Sequence, residues 1–553
     1  MSGVGKGIAA SSIALILKAR GLRVTALKID PYINVDAGAM NPTEHGEVFV
    51  LGDGDETDQD MGNYERFLDE SLSRVNYMTT GRVYLEVIRK ERNLEFKGKN
   101  VEVVPDIPLE VISRIEVAAK KANADVTVVE IGGTIGEYQN IIFLEAARMM
   151  KTKYPDDVTV VMVSYLPIPS KIGEMKTKPT QTAARTLNSV GVQAEVIIAR
   201  SEVPIDQKRK DKIATFCNLR PENVISAPDV QSIYDVPINF EKDRLGEILC
   251  KTLSINHKRR VTNLDKWTAF VKRAKSARKE VKIAIVGKYF SSGDFVLSDV
   301  YISIIEALKF SAYHLGAKPR ITYLSSNDFE TGKKKLAELD KFDGILVPGG
   351  FGSSGVLGKI KVIEYARKKK IPFFGICYGM QLAVIEYARN VLGWKGAHTA
   401  EVDPKSTHPV IDIMPEQKEL LAENKYGATM RLGAYTAVLE EGSIARKAYG
   451  FASARGQAGK SASSGGKSAA GQAKISERHR HRYEVNPEFI PALEAAGLVF
   501  SGISPNRRLM EIAELPRSVH PFFLGTQFHP EFLARPLTPH PLFTEFLKAA
   551  MKK

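Results

Sequence analysis

The sequence predicts an α/β protein made of two doubly wound domains in series. Three observations carry this reading. Near-continuous apolar runs alternate with helical patterns in the first half, at Val24–Ile29, Val126–Ile131, Val158–Val163 and Val196–Ala199. Uninterrupted apolar strands between helices read as a parallel sheet covered on both faces. After a charged stretch the alternation restarts, at Val281–Val286, Phe342–Val347 and Ile371–Ile376. A chain of 553 residues also exceeds what one hydrophobic core accommodates. The boundaries read as a first domain at 1–253, a linker with some helix at 254–280, and a second domain at 281–553. Within the second domain, residues 451–474 are rich in Gly, Ser, Ala and Lys. That composition buries no core and reads as a flexible insertion.

Bulk composition narrows the function classes. The net charge is +14 and the apolar fraction 44%. A basic balance favours nucleic acid, an anionic membrane or small polyanions. No basic stretch is interleaved with aromatics and no nucleic-acid module is recognisable, so nucleotides are the expected partners. Three cysteines, Cys217, Cys250 and Cys377, build no disulfide framework and fit a reducing cytoplasm. No run of 18 apolar residues is present, so neither membrane nor nucleic acid is expected as a partner.

The first domain opens on Gly3-Val4-Gly5-Lys6-Gly7, followed by a helical pattern from Ile8 to Ala19. Glycines let backbone N–H groups approach a phosphate, the helix N-terminus adds partial positive charge, and Lys6 adds a full one. Gly7 stands where a P-loop has Ser or Thr, so the match is imperfect. The next strand ends with Lys28 and Asp30, at the edge where open parallel sheets bind ligands. The run Glu56–Asp60 concentrates acids without basic neighbours in sequence, and Glu130 ends the Val126 strand. Carboxylates so placed suit Mg²⁺ shared with nucleotide phosphates. Taken singly, the acidic loop reads as solvated and Glu130 as a strand-end acid. Lys176-Thr177-Lys178-Pro179-Thr180-Gln181 offers two amines, two hydroxyls and an amide, enough for a second phosphate group, although alone it reads as an exposed loop.

In the second domain, Gly375-Ile376-Cys377-Tyr378-Gly379 follows an apolar strand and precedes a helical pattern at Met380–Arg389. A small residue on each side of the cysteine makes an elbow, and a helix N-terminus favours the thiolate. Downstream lies Gln527-Phe528-His529-Pro530-Glu531. His529 is the expected proton acceptor and Glu531 its orienting carboxylate. The turn Pro348-Gly349-Gly350-Phe351-Gly352 offers backbone N–H groups to a developing oxyanion, beside the N–H of Tyr378. A lone cysteine after a strand is usually core; elbow, turn and His-Pro-Glu together favour nucleophilic catalysis.

These residues bring the chain close to a known family. It resembles the CTP synthases, amidoligases that carry a class I glutamine amidotransferase domain. The long matching segments are Lys28–Asn34, His45–Phe49, Glu130–Thr134, Lys176–Gln181 and Arg478–Asn486, and the likeness spans nearly the whole chain. It implies an N-terminal P-loop-like synthetase domain and a C-terminal glutaminase domain. ATP as co-substrate phosphorylates O4 of UTP, L-glutamine is hydrolysed at the thiol, and ammonia displaces the phosphate to give CTP. It also implies Mg²⁺, GTP as allosteric activator, CTP as feedback inhibitor, a homotetramer, and filaments. Carried over by position, Gly3, Val4, Gly5, Lys6, Gly7, Ile8, Lys28 and Asp60 fall on ATP, and Asp60 and Glu130 on the metal. Ser2, Glu137, Tyr138, Gln139, Lys176, Thr177, Lys178, Pro179, Thr180, Gln181 and Lys212 fall on UTP or CTP. Gly350, Tyr378, Gly379, Met380, Gln381, Glu401 and Arg482 fall on glutamine, whose ammonium and carboxylate call for one acid and one base. Two other readings stay open: a related ATP-dependent amidase-ligase such as the cobyrinate-amidating enzymes, and a non-catalytic assembly homologue.

Three departures from the family pattern carry expectations. The chain starts inside the phosphate loop, without the family's preceding strand, so the gene product is expected to start upstream; loss of that strand would expose backbone groups in the sheet. Ser354 and Leu357 stand where the family has arginine and glutamate, predicting weaker or altered GTP activation. Glu137-Tyr138-Gln139 replaces a more acidic trio, predicting altered CTP inhibition.

Overall fold

The computed structural model describes residues 3–41, 45–171, 173–255, 263–288, 291–292, 295–296, 298–350, 352–413, 430–451 and 472–553. Ser2, Phe351 and most of the 451–474 insertion lie outside them. The chain divides into two compact units, Met1–Ala37 with Asp60–Val271, and Gly38–Gln59 with Lys272–Lys553.

The first unit holds two three-stranded parallel sheets. In one, Val24–Asp30 lies between Tyr77–Thr79 and Val126–Ile131; in the other, Val196–Ser201 lies between Val161–Tyr165 and Val224–Pro228. Every residue of Val24–Asp30 is buried, as its unbroken apolar pattern requires of a central strand. The Val126 and Val161 strands each pair on one side only among the described residues. Both line the same cavity of about 1010 Å³, whose walls include Val4 and Lys6. The parallel sheet read from the sequence is therefore present as two halves.

The second unit is built on a nine-stranded sheet. Its order is Ala317–Ser325, Lys279–Gly287, Gly344–Val347, Phe373–Ile376, Phe523–Thr526, Met510–Leu515, Val499–Ile503, Arg431–Leu439, Ala473–His481. The first five run parallel and the remaining pairings are antiparallel. The three strands that the sequence reading placed in this domain, near Val281–Val286, Phe342–Val347 and Ile371–Ile376, all lie in its parallel part. The connections at 504–509 and 516–522 are too short to carry a crossover helix, and short connections force antiparallel neighbours. The apolar core fills the space between this sheet and the helices Val356–Lys369 and Tyr378–Asn390.

Two assignments at the domain boundaries change. Residues 38–59, read as part of the first domain, pack in the second unit: Arg480 Nε donates to Glu56 Oε1 at 2.7 Å, and Ala434 N to Gly52 O at 2.9 Å. The stretch read as a linker contains the helix Asp265–Ser276. Trp267 and Phe270 on it are buried in the first unit, where Trp267 Nε1 donates to Tyr234 O at 2.8 Å and its ring packs 4.8 Å from Phe67. An aromatic buried to this extent stabilises by ~3–5 kcal/mol relative to alanine, so this end of the linker is core.

Candidate active sites

In the second unit, the Phe373–Ile376 strand ends at Cys377, which has φ 51° and ψ −106° and forms the N-cap of helix Tyr378–Asn390. Such a backbone is costly for a non-glycine residue and persists where the surroundings enforce it. The enforcement is visible. A Cβ on Gly379 would sit 2.1 Å from the Val347 carbonyl oxygen, and one on Gly375 would sit 2.8 Å from the Gly379 backbone. Only glycine at both places lets the helix turn back across the strands.

Phe523–Thr526 is the neighbouring strand, and Cys377 N donates to Thr526 O at 2.6 Å. The chain leaving that strand brings His529 beside the thiol. His529 Nδ1 is 2.7 Å from Glu531 Oε1, and its ring stacks on Phe532 at 5.1 Å. Nε2 is buried without a hydrogen-bond partner among the described residues. Burial opposes charge on His529, but the Glu531 carboxylate and the Cys377 sulfur outweigh it and raise the pKa to about 10. The Cys377 thiol is 3.8 Å from both the Arg480 carbonyl oxygen and Gln527 Nε2. A Cβ on Gly349 would meet His529 Cε1 at 3.3 Å and Cys377 Cβ at 3.7 Å, so the Gly-Gly turn lies directly against the pair.

Among the residues assigned to glutamine, Glu401 Oε1 accepts from Gly352 N at 2.9 Å. Glu401 and Arg482 both act electrostatically on Tyr483, with opposite sign. Gln381 Nε2 donates to Tyr483 O at 2.8 Å and to Gln527 Oε1 at 3.2 Å. Met380, next to Gln381, is fully buried, with its side chain packed in the core against Gly525. Sequence reasoning gave no role to Gln527 or Arg480, although both lie inside motifs it quoted.

In the first unit, helix Lys6–Ala19 begins after Gly5, whose φ is 89°. Lys6 Nζ donates to Gly133 O at 3.0 Å, and burial lowers its pKa. Lys28 is buried at the strand end, directly across from Glu130 in the ladder. Its Nζ lies 2.5 Å from Asp60 Oδ2, 3.0 Å from Glu130 Oε1 and 3.6 Å from Asp30 Oδ1. Burial opposes its charge, but these three carboxylates prevail and push its pKa above the usual amine value. Burial also raises Glu130, against the pull of Lys28, and Tyr64 donates to its other oxygen.

Gly7 explains its own departure from the P-loop pattern. A Cβ there would lie 2.1 Å from Asp60 Oδ1, so the Asp60 carboxylate occupies the space a Ser or Thr side chain would need. The acids at 56–60 are not unpartnered: Glu56 pairs with Arg480 and Asp60 with Lys28. Asp60 and Glu130 both reach the same lysine with hard oxygen donors. That set fits Mg²⁺, which takes one or two carboxylates alongside phosphate oxygens. Among the described residues, no group of three or more His, Cys, Asp or Glu is placed to hold a metal by itself.

The segment assigned to the pyrimidine nucleotide is split by burial. Thr180 and Gln181 are buried, Thr180 Oγ1 lying 2.9 Å from Ser164 Oγ and Gln181 Nε2 donating to Thr177 Oγ1 at 3.2 Å. Gln181 Oε1 has no hydrogen-bond partner among the described residues. Lys176 pairs with Glu174 at 2.6 Å, Lys178 Nζ lies 5.5 Å from the centre of the Phe216 ring, and Lys212 is exposed. Glu137 Oε2 accepts from Thr134 N at 3.1 Å, which lowers its pKa, while Tyr138 is 96% exposed and Gln139 is exposed.

Both halves of the chain resemble known proteins. Residues 1–255 match the family model described as CTP synthase N-terminus, and residues 296–549 match glutamine amidotransferase class-I. A CTP synthase of Thermococcus gammatolerans is 47% identical over 100% of this chain and 97% of its own length. One from Pyrococcus abyssi is 48% identical over 100% and 96%, and one from Halalkalibacterium halodurans 44% over 100% and 98%. The solved glutaminase domain of Trypanosoma brucei CTPS with bound acivicin is 38% identical, covering 49% of this chain and 94% of that one, with a TM-score of 0.42. With both halves matched and nearly half of all positions shared end to end, this chain belongs to the CTP synthase family.

Proposed function

We propose that this chain converts UTP to CTP, using ATP and the nitrogen of L-glutamine. The observation that carries the reading is the presence, in one chain of this family, of a thiol–imidazole–carboxylate arrangement and a separate lysine–carboxylate cradle. In the second unit, Cys377 Sγ attacks the glutamine amide carbon. His529 Nε2 takes the thiol proton and delivers it to the leaving ammonia, while Glu531 holds the imidazole through Nδ1. The N–H of Tyr378, in the first turn of its helix, and that of Gly350 receive the developing oxyanion. Glu401 and Arg482 take the substrate's ammonium and carboxylate. Water then hydrolyses the thioester to glutamate.

In the first unit, Gly3, Val4, Gly5, Lys6, Gly7 and Ile8 bind ATP phosphates together with Lys28. Asp60 and Glu130 hold Mg²⁺, which neutralises phosphate charge when bound. Lys176–Gln181, Glu137–Gln139 and Lys212 hold UTP, or CTP as inhibitor. Phosphate passes from ATP to O4 of UTP, making a better leaving group, and ammonia displaces it at C4. The protein works in the cytoplasm as a homotetramer able to form filaments. Among the described residues no helix is long and apolar enough to cross a membrane. Leu85, Ile88, Val103, Leu109 and Val117 are exposed on two helices of the first unit, apolar surface of the kind that supports self-association.

Incubation with UTP, ATP, Mg²⁺ and glutamine should change the ultraviolet absorbance from uracil to cytosine; no change with folded protein defeats the proposal. GTP activates the glutaminase weakly, because Leu357 is exposed and Ser354 Oγ meets Asn327 Nδ2 at 3.5 Å, with no charge at either place. A glutaminase titration with GTP checks this, and the ordinary strong activation of the family would contradict it.

A further inference from the structure

Lys359 lies on helix Val356–Lys369 and is 0% exposed. Among the described residues it has no carboxylate partner, and its one hydrogen bond is from Nζ to the Pro348 carbonyl oxygen, at 3.5 Å. A buried amine without a carboxylate partner is costly, and among the described residues the only favourable charge acting on it is that of Cys377, so its position calls for a reason. The acceptor supplies one, because Pro348 opens the Gly-Gly turn beside Cys377.

Two further carbonyls of this turn are held by side chains as well. Tyr301 Oη donates to Gly349 O at 3.5 Å, and Lys288 Nζ and Tyr378 Oη donate to Gly352 O at 3.4 and 3.5 Å. Lys359 Nζ also lies 5.6 Å from the centre of the Tyr378 ring. In a planar trans peptide the C=O and the following N–H point in opposite directions. Holding the carbonyls of Pro348 and Gly349 therefore sets where the N–H groups of Gly349 and Gly350 point. A side chain at Gly349 would come into contact with both Cys377 and His529, so the turn runs beside the pair.

We infer that Lys359, with Tyr301, is a positioning residue that presets the oxyanion turn by gripping its carbonyl oxygens from behind. Burial, and repulsion from Lys288, lower the Lys359 amine to about 7. The amine donates whether protonated or neutral, so the grip persists through neutral pH. The inference rests on the glutaminase reading above and adds to it a residue that touches neither substrate nor thiol.

The test compares wild type with Lys359→Met, which keeps the length and removes the donor. Three readouts are taken: glutaminase kcat and KM, inhibition by the aldehyde analogue of glutamine, and alkylation of Cys377 by iodoacetamide. The aldehyde adds the thiol to its carbonyl and places an oxygen in the oxyanion position; iodoacetamide places none. The inference expects kcat to fall by ~10–100-fold, part of the loss seen when an oxyanion donor is removed. KM should change little, aldehyde inhibition should weaken by a similar factor, and alkylation should stay unchanged, with Lys359→Arg recovering most of kcat. Unchanged kcat and aldehyde inhibition would overturn it, as would alkylation falling in step with kcat. If Lys359→Met does not fold, Tyr301→Phe carries the same expectations on the Gly349 carbonyl, and normal kcat there overturns the inference. A wild-type protein with no glutaminase activity would instead defeat the functional reading.

Discussion

At the scale of single residues, the charge on His529 is a strong local effect. Its pKa is raised from 6.5 to about 10 by Glu531 and Cys377, against burial. A group raised on folding adds stability that is fully present below the unfolded value and fades as pH rises through the folded one. Glu531→Gln removes the larger favourable source. The melting temperature of this variant should fall furthest below wild type at pH under about 6.5, and the gap should close toward pH 10. Its glutaminase kcat should drop on the order of 10⁴-fold, as expected when an imidazole loses its orienting carboxylate. A gap that widens with pH would contradict the assignment. Gly7 gives a second test. Its neighbour Asp60 is short and held by Lys28, so Gly7→Thr forces two oxygens into one place. CTP formation with ammonia should fall at least ~10-fold, the scale of a misplaced reacting group, while glutaminase without nucleotide is retained; equal loss of both would point to general misfolding.

Secondary-structure elements show which parts of the sites were legible. The elbow was readable because everything it needs is contiguous: an apolar strand, small residues around Cys377 and a helical pattern after it. His529 and Glu531 were readable because a single residue, Pro530, separates imidazole from carboxylate. The cradle was only half readable. Lys28, Asp60 and Glu130 lie on a strand, a helix start and another strand, and no local pattern announces that one amine joins them. The misfit at Gly7 was the available signal, since a missing hydroxyl hints that another side chain fills the space. The antiparallel half of the nine-stranded sheet went unread because the sequence reading assigned no strand beyond the apolar run that ends at Ile376. Packing at the elbow is testable directly. Gly379→Ala places a methyl 2.1 Å from a backbone oxygen, and overpacking of this kind costs ~1–3 kcal/mol. Urea denaturation should show that loss together with loss of glutaminase; unchanged stability would mean the crossing is looser than described.

For the whole molecule, the alternation of strands and helices was enough to predict two α/β units. It could not show that residues 38–59 leave the first unit and pack in the second, because that choice rests on partners such as Arg480 and Leu432, hundreds of positions away. Nor could it show that the Trp267 helix is core, since its charged face dominates the composition of the stretch around it. The account of function depends on nitrogen release and pyrimidine activation being separate chemistries in one chain. The most direct measurement is CTP formation by Cys377→Ala, supplied in turn with glutamine and with ammonium salts. The account predicts no product from glutamine and near wild-type product from ammonia. Loss of both activities in folded protein, or product from glutamine, would contradict it.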